Sequence, residues 1–263
     1  MKPHATQGQL LLLVTIGVSL TSGCMTVPET GRRQLNLIPR QAEMELGISS
    51  FNQMKSQSRL SADAGLQAMV QRVGRRIAAV APLQGAQWEF VVVENNEANA
   101  FCMPGGKVAV YTGILPITKD EAGLAAVMGH EVAHAVARHG AARISEAMMF
   151  QLGAQMLNQA LASSDPRTRA AWTQAYGLGT TLGWELPHNR TQESEADKLG
   201  LLYMARAGYD PEEAVKFWQR FAAYNKSRGG GQLWFLRTHP VDEKRIADLQ
   251  KAMPEAKAQF RPK

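Results

Sequence analysis

The segment His130-Glu131-Val132-Ala133-His134 carries the residue types and the spacing of a metal-dependent hydrolytic site. On a helix, His130 and His134 lie one turn apart on the same face, so both imidazoles can hold one metal ion. Glu131 lies about 100° further round the helix, where its carboxylate can act as a base for a water molecule. Zinc-dependent hydrolysis needs such a combination of two metal ligands and one base.

The flanking residues predict that this segment lies on a buried helix. Residues 118–121 read Thr-Lys-Asp-Glu, which is typical of a capping box with Thr118 as the N-cap and Glu121 reaching back to it. The residues from 122 to 128 are mostly apolar and favour helix formation. A helix that is apolar on most sides is a buried one, so the motif is expected to lie within the core.

Catalytic zinc has three protein ligands and one open position, so the site needs a ligand beyond the two histidines. No histidine follows His134 at the spacing of three-His zinc sites, which favours a carboxylate as the third ligand. The remaining histidines are His4, His139, His188 and His239.

The best candidate for that carboxylate is the acidic segment 193–197, on a helix that Thr191 is expected to cap. Glu193 and Asp197 are four residues apart and share a face. One of them can bind zinc while the other hydrogen-bonds a ligand imidazole. Spacing alone also leaves Glu195 open as the ligand. The simpler alternative is an acidic helix start that suits the helix dipole and binds nothing.

These motifs, in this order, resemble the gluzincin peptidases of the CAAX-prenyl-protease and HtpX type, and in particular the periplasmic and outer-membrane lipoproteins among them. The likeness covers about residues 30–250. It rests on the His-Glu-x-x-His and Glu-x-x-x-Asp motifs and on four further stretches: Asn99-Ala100-Phe101, 104–113, Leu186-Pro187 with Arg190, and Thr238-His239-Pro240 with Arg245. His188 departs from the family pattern, where an aromatic residue is common.

The resemblance implies a role for each matching residue. His130, His134 and Glu193 would be the ligands of one Zn²⁺ ion, and Glu131 would be the catalytic base. Asp197 would hydrogen-bond a ligand. The strand at Asn99, Ala100 and Phe101, together with Arg245, would bind substrate. His239 would reach the zinc as a fourth ligand that closes the site, or would assist catalysis instead.

The amino-terminus predicts export and lipidation. An apolar run of eleven residues, Leu10–Leu20, precedes Thr21-Ser22-Gly23-Cys24, which indicates a signal peptide over residues 1–23 with a lipobox. Residues 24–38 are then expected to be a lipidated amino-terminus and tether. The implied location is the periplasmic face of an outer membrane, with attachment through lipid on Cys24. The alternative is a soluble periplasmic protein.

Composition excludes a nucleic-acid-binding protein. The chain of 263 residues has a formal charge of +6, and removal of residues 1–23 takes away one lysine and no acid, which leaves +5. The basic residues are scattered and form no dense stripe of the kind that binds nucleic acid. If Cys24 is acylated, Cys102 is the only thiol left, and it is expected to be an inert buried thiol rather than a ligand.

The predicted fold class is α+β and mostly helical: a zincin-like single domain over residues 39–263 with a small sheet beside the zinc helix. Periodicity predicts a helix at 62–82, strands at 88–94 and 108–111, and a helix opening at Asp210-Pro211. Residues 142–183 are expected to be a pair of core helices, or else a lid or membrane-facing lobe. Residues 227–232 are Gly-rich and predict a loop.

Together these features predict a zinc metalloendopeptidase that cleaves unfolded or misassembled envelope proteins in quality control. A substrate would add a strand at the Asn99–Phe101 edge. The alternative is a chaperone or assembly factor for outer-membrane proteins that uses the same groove and rarely cleaves. Outer-membrane assembly machinery is a candidate partner in either case.

Overall fold

The computed structural model describes residues 23–180, 186–227, 235, 239 and 243–262, without the side chains of 179, 180 and 186–188. The strands are β1 Cys24–Thr26, β2 Arg33–Leu35, β3 Glu89–Val93, β4 Ala100–Met103 and β5 Lys107–Tyr111. The helices are α1 Arg40–Gln57, α2 Ala64–Ala78, α3 Leu115–Thr118, α4 Glu121–Val136, α5 His139–Ala160, α6 Pro166–Thr180, α7 Leu186–Arg206, α8 Glu212–Ser227 and α9 Glu243–Gln259. Residues 1–22 of the predicted signal peptide, residues 228–232 of the predicted Gly-rich loop and the side chains of Leu186, Pro187 and His188 lie outside the described residues.

The helix that carries the His-Glu-x-x-His motif lies at the centre of the fold. Every residue of α4 from Gly123 to Val136 is buried. The helix packs against α2, α7, α8 and β4, so its neighbours cover it on several sides. The predicted class, a mostly helical α+β fold with a small sheet beside the zinc helix, is confirmed.

The predicted starts of the two site helices are wrong, by two residues for α4 and by about five for α7. Asp120, not Thr118, is the N-cap of α4, and its carboxylate accepts a hydrogen bond from the Gly123 backbone N–H at 2.9 Å. Thr118 instead closes the preceding short helix, where its hydroxyl donates to the Leu115 carbonyl. Thr191 lies inside α7 rather than at its cap. The acidic residues 193–197 therefore lie beyond the first turn, which removes the argument that they serve only the helix dipole.

Two glycines allow α4 and α7 to cross in backbone contact. A Cβ atom at Gly129 would lie 2.9 Å from the Gly200 carbonyl oxygen. A Cβ atom at Gly200 would lie 2.9 Å from the His130 backbone nitrogen and 3.0 Å from its Cα. Because each contact is to backbone, no side-chain movement can make room. The crossing lies directly beside His130 and brings the motif helix close to the acidic helix.

The main sheet has the strand order β3-β5-β4. Strand β5 pairs with β3 in parallel and with β4 in antiparallel fashion, so within the described residues β4 is an edge strand. The predicted strands at 88–94 and 108–111 are confirmed. The edge strand packs against α4, which places it beside the motif helix.

The segment 24–35, expected as part of a tether, forms a hairpin that docks on the domain. Strands β1 and β2 pair antiparallel, with Cys24 opposite Leu35, and Val27 between them is 1% exposed. Ion pairs join Arg32 to Glu195 and Glu29 to Arg206. The structure thus places these residues on the domain, where their side chains contribute to the core and to partly buried ion pairs. Their role as a tether stays a prediction. The lipidation of Cys24 and the boundary at residue 39 stay predictions.

The described part of residues 142–183 forms two helices, as expected, but their long apolar side chains do not lie in a core. Ile144, Met148, Leu152 and Met156 recur every four residues along α5 and are between 43% and 61% exposed. Trp172 of α6 is 58% exposed. The core-helix hypothesis therefore holds only for the first turns of α5. Within the part of the chain that the structure describes, no helix combines the length and apolarity needed to span a membrane.

The helix crossing yields a test of the fold. Gly200→Ala should reduce the free energy of unfolding by about 1–3 kcal/mol, the usual cost of overpacking, because the added methyl group meets backbone. Gly140→Ala is the matched control, since a Cβ atom there meets nothing within 4 Å. That change should be neutral or stabilising by up to about 1 kcal/mol. Urea unfolding followed by circular dichroism measures both, and equal effects would show that the crossing is not tight.

Candidate metal centre

Four side chains bring one donor atom each to a common point. His130 and His134 come from α4, Glu193 comes from α7, and His239 comes from the chain before α9; all four are buried and their donor atoms lie within 4.8 Å of one another. His134 Nε2 lies 3.1 Å from His130 Nε2. Glu193 carboxylate oxygens lie 3.3 Å from each of these two nitrogens. His239 Nδ1 lies 2.9 Å from Glu193 Oε2 and 3.2 Å from His130 Nε2.

These separations fit the ligand sphere of zinc. Ligands bonded at about 2.0–2.1 Å in a tetrahedron lie about 3.3 Å apart, and zinc prefers imidazole and carboxylate donors of this kind. Charge gives a second reason. Among the described residues, the buried carboxylates of Glu131, Glu193 and Asp197 outnumber the one buried arginine beside them, Arg245, by two, which leaves an excess of negative charge. A divalent cation balances that charge, which would otherwise be costly to bury.

His130 is oriented by an aspartate that is itself held in place. Its Nδ1 lies 2.9 Å from Asp197 Oδ1. The Arg245 guanidinium donates two hydrogen bonds of 2.7 Å to the Asp197 carboxylate and lies over the Trp218 ring, with Cζ 3.5 Å from the ring centroid. The Trp218 ring also contacts the His130 ring edge-on at 5.5 Å. With Nδ1 bonded to Asp197, the lone pair of His130 Nε2 faces the cluster.

His134 is oriented by a second histidine that sequence reasoning missed. His134 Nδ1 lies 2.8 Å from His139 Nδ1, and His139 Nε2 lies 2.9 Å from Glu195 Oε2. His139 is 0% exposed. It was discounted because its spacing does not fit a three-His ligand set. The sequence signal for this role is a histidine directly after the motif helix. From there His139 reaches the imidazole of His134, although it lies outside the donor cluster.

Glu131 has the position that a general base requires. Its Oε1 atom is buried and has no hydrogen-bond partner among the described residues. The His239 Nε2 atom is 3.5 Å away. Burial raises the pKa of Glu131, which makes its carboxylate a stronger base than an exposed one. An unsatisfied buried carboxylate oxygen beside four converging donors is the arrangement expected where a polar molecule is to be held.

The protonation preferences of the cluster follow from its carboxylates. Burial opposes the charged form of His130, but its hydrogen bonds with Asp197 and Glu193 outweigh burial and raise its pKa to about 9. Burial holds the pKa of His134 well below its usual value. Burial also opposes the charged form of Glu193, yet the neighbouring His134 and His239 hold the pKa of Glu193 well below its usual range. The carboxylates therefore favour positive charge at His130, whereas burial opposes it at His134.

The structure separates the carboxylates that spacing left open. Glu193 faces the donor cluster and Asp197 bonds His130, whereas Glu195 bonds His139 and lies outside the cluster. Arg245, expected to clamp substrate, makes a bidentate pair with Asp197, and its contact with substrate stays a prediction. Cys102 lies on β4 outside the donor cluster, and burial raises the pKa of its thiol, with a further contribution from Glu131 nearby.

The fold and this centre define a zincin-type metallopeptidase, in which one buried helix carries the His-Glu-x-x-His motif and a second helix brings Glu193 to the same point. Residues 64–253 match the model of peptidase family M48. The chain belongs to this family. The predicted gluzincin family, the enzyme class of zinc metallopeptidase and the zinc cofactor are thereby confirmed.

The chain is similar over most of its length to several curated proteins. It is 36% identical to mitochondrial metalloendopeptidase OMA1 of Schizosaccharomyces pombe, over 88% of this chain and 66% of that protein. It is 38% identical to the Saccharomyces cerevisiae protein of the same name, over 66% of this chain and 49% of that protein. The beta-barrel assembly-enhancing protease of Escherichia coli is 27% identical, over 92% of this chain and 50% of that protein. The chain thus spans about half to two thirds of the length of these relatives.

These comparisons correct the predicted location. The amino-terminus predicted a lipoprotein at the periplasmic face of an outer membrane, or else a soluble periplasmic protein. The relatives at 36% and 38% identity are named as mitochondrial proteins, whereas the relative named for β-barrel assembly is 27% identical. The predicted location is therefore contradicted, and the expected likeness to envelope members holds only at the level of the family.

Three substitutions at the metal centre should lower zinc affinity to different degrees. Glu193→Ala removes a ligand and should abolish most zinc binding. Asp197→Ala leaves the ligands in place but frees His130, so zinc affinity should fall about 10- to 100-fold. Arg245→Ala should act in the same direction as Asp197→Ala, because it releases the Asp197 carboxylate. Chelator competition on the purified protein measures all three.

Lys198→Ala is the control on the same helix, since this side chain is exposed and pairs with Glu255 rather than with the centre. Full zinc occupancy in Glu193→Ala would show that the third ligand is assigned wrongly.

Proposed function

We propose that this chain is an endopeptidase that cleaves unfolded or misassembled polypeptides, with His130, His134 and Glu193 as zinc ligands and Glu131 as the general base. The observation that carries the proposal is the convergence of the four donor atoms beside the buried, unbonded Oε1 of Glu131. A bound zinc ion supplies Lewis-acid chemistry there, since it polarises a carbonyl group and lowers the pKa of water to about 7.

Glu131 handles the protons of the reaction. Its Oε1 atom takes a proton from the attacking water and later gives it to the leaving amine nitrogen, as one group can do in sequence. The raised pKa that burial gives Glu131 supports both steps, because the carboxylate is then basic enough to accept the proton. Buried surroundings also exclude competing water from the carboxylate.

Strand β4 is the part of the chain suited to hold a substrate. The Asn99 carbonyl accepts a hydrogen bond from the Tyr111 N–H, so alternation along an antiparallel pair turns the backbone groups of Ala100 and Cys102 toward the free edge. Cys102 lies close enough to Glu131 for that carboxylate to raise its pKa. An extended chain added to this edge would therefore run past the proposed base. The backbone groups of Asn99 and Phe101 face β5 and not the free edge. These two residues would contact a substrate through their side chains, which are buried in Asn99 and half-buried in Phe101.

Recognition of this kind selects for chain shape. Backbone hydrogen bonds to an edge strand are available to any extended segment, whatever its side chains. A folded protein keeps its strands paired, whereas an unfolded or misassembled one offers them. This reasoning favours unfolded polypeptides as the substrate class in whichever compartment the protein works.

A second function, as a chaperone or assembly factor, uses the same strand edge without cleavage. The relative named beta-barrel assembly-enhancing protease favours keeping this alternative, since its name joins assembly with proteolysis. The two functions differ in whether they need Glu131.

Substitution of the proposed base, Glu131, tests the proposed function. Glu131→Gln keeps the size of the side chain and all proposed ligands, so zinc should stay bound while cleavage of unfolded casein falls by orders of magnitude. Glu121→Gln is the matched control on the same helix, because Glu121 pairs with Arg72 away from the centre. Cleavage by Glu131→Gln at a rate near wild type would rule out the assigned mechanism. Full rescue of a cellular defect by this variant would favour the chaperone function.

We further propose that His239 occupies the fourth ligand position and closes the centre until substrate displaces it. Its Nδ1 atom lies among the donor atoms, and its ring packs on Phe235 with a centroid separation of 4.5 Å. The alternative is a His that assists catalysis through its Nε2 atom near Glu131. These two roles predict opposite effects on the rate.

If His239 closes the centre, His239→Ala should raise basal cleavage of casein, including self-cleavage, at equal protein concentration. If it assists catalysis, the same variant should be slower on every substrate. Glu131→Gln, measured beside it, gives the rate without the base. A slower His239→Ala enzyme would end the closure hypothesis.

A further inference from the structure

We propose that His139 and Glu195 position the ligand imidazole of His134, and that the amino-terminal hairpin formed by β1 and β2 holds this pair in place. The inference deepens the proposed metal centre and rests on it. His139 and Glu195 are positioning residues, since neither contributes a donor atom to the cluster. They act through His134 alone, because the other histidine of the motif has its own partner in Asp197.

The donor and the acceptor of each hydrogen bond can be assigned in order, from Arg32 through Glu195 and His139 to His134. Glu195 Oε2 accepts hydrogen bonds from Arg32 Nη2 at 2.6 Å and Arg32 Nε at 2.9 Å, and the Thr30 hydroxyl donates to Glu195 Oε1. An ionised carboxylate can only accept, so His139 Nε2 must donate to it across 2.9 Å. In a neutral imidazole the other nitrogen then has a lone pair and accepts.

The same reasoning fixes the tautomer of His134. Because His139 Nδ1 accepts, His134 Nδ1 must carry the hydrogen that spans the 2.8 Å between them. His134 Nε2 is then left with its lone pair, and it is this atom that lies among the donor atoms. The chain from Arg32 through Glu195 and His139 thus presents the ligand nitrogen in the form that binds a metal ion.

The backbone brings His139 to this position at a sharp corner between α4 and α5. Arg138 adopts the left-handed conformation, with φ 55° and ψ 38°, so the chain turns back and His139 begins α5 beside the last turn of α4. The hairpin fastens this corner, because Gln34 Nε2 donates to the Ala137 carbonyl at 2.6 Å. Just beyond the hairpin, Arg138 Nη2 donates to the Ile38 carbonyl at 2.7 Å. The amino-terminal segment therefore contacts both the corner and Glu195.

The two motif histidines are consequently held by separate supports. The support of His130 is Asp197 with Arg245, from α7 and α9. The support of His134 is His139 with Glu195, and Arg32 joins them from the hairpin. Loss of either support should weaken metal binding without removing a ligand, and the two should be separable by mutation.

Zinc affinity of the full chain, measured by chelator competition, tests the proposal without any assay of cleavage. His139→Leu removes the acceptor and should lower affinity about 10- to 100-fold, the usual effect of losing a partner of a ligand imidazole. His139→Asn places an amide oxygen where His139 Nδ1 lies, so it should retain more affinity than His139→Leu. Glu195→Gln keeps an acceptor oxygen for His139 and should bind better than Glu195→Leu.

Nitrogen-15 spectra of the zinc-free protein provide a readout that loosening of the fold alone would not produce. Wild-type His134 should carry its hydrogen on Nδ1, and His139→Leu should shift the population toward Nε2. Ser145→Ala is the matched control, since Ser145 is equally buried on α5 and its partners within the described residues are the Leu37 N–H and the Ala141 carbonyl. It should change neither affinity nor tautomer.

Unchanged zinc affinity in both His139→Leu and Glu195→Leu would overturn the proposal, and so would an affinity loss as large in Ser145→Ala. If His139→Leu fails to fold, Arg32→Ala provides the test, because the Arg32 side chain is partly exposed and its removal should leave the fold intact. This variant should still lower zinc affinity by a few-fold. A wild-type protein that binds zinc through His134 but cleaves nothing would refute the proposed function and leave this inference standing.

Discussion

The contact of α4 with α7 at Gly129 and Gly200 is the constraint on which the rest of the centre depends. At this crossing the two backbones touch, with no room for a Cβ atom on either side. One helix carries His130, Glu131 and His134, and the other carries Glu193 and Asp197. Side chains as short as these can share one metal ion only if the helices that carry them lie this close. The close approach therefore determines whether a ligand set exists at all.

Around that crossing, electrostatics rather than packing decides how each ligand is presented. Buried carboxylates outnumber buried cations near the donor cluster, and the Nδ1 atoms of His130 and His134, which face away from it, each have a hydrogen-bonding partner. An isolated buried charge is costly, and Glu193, Glu195 and Asp197 are each matched by an arginine or an imidazole. Arg245 and Trp218 complete one side of this arrangement, and Arg32 completes the other. The centre is thus assembled from five separate regions of the chain: the hairpin, α4 with the start of α5, α7, α8, and His239 with α9.

Much of this could be predicted from the sequence, and the reasons for the rest are physical. Spacing within one helix determines which side chains share a face, so His130, His134, Glu193 and Asp197 were all found by periodicity or by family likeness. Contacts between helices have no such period. The pairing of His139 with His134 depends on the left-handed Arg138, and the pairing of Arg245 with Asp197 depends on how α9 docks. The caps of α4 and α7 were misplaced because several polar residues near each start could serve equally well. The apolar face of α5 was assigned to the core because hydrophobicity alone cannot tell a buried stripe from an exposed one.

The two supports of the motif histidines come from opposite ends of the chain, with Arg32 near one end and Arg245 near the other. This has a consequence in time. During synthesis the hairpin emerges first and the motif helix follows, but the arginine that holds Asp197 emerges only after more than a hundred further residues. Until then the imidazole of His130 lacks its fixed partner. A nascent chain would therefore carry the motif without a fully ordered centre, and hydrolytic capacity would mature only when the last helix docks.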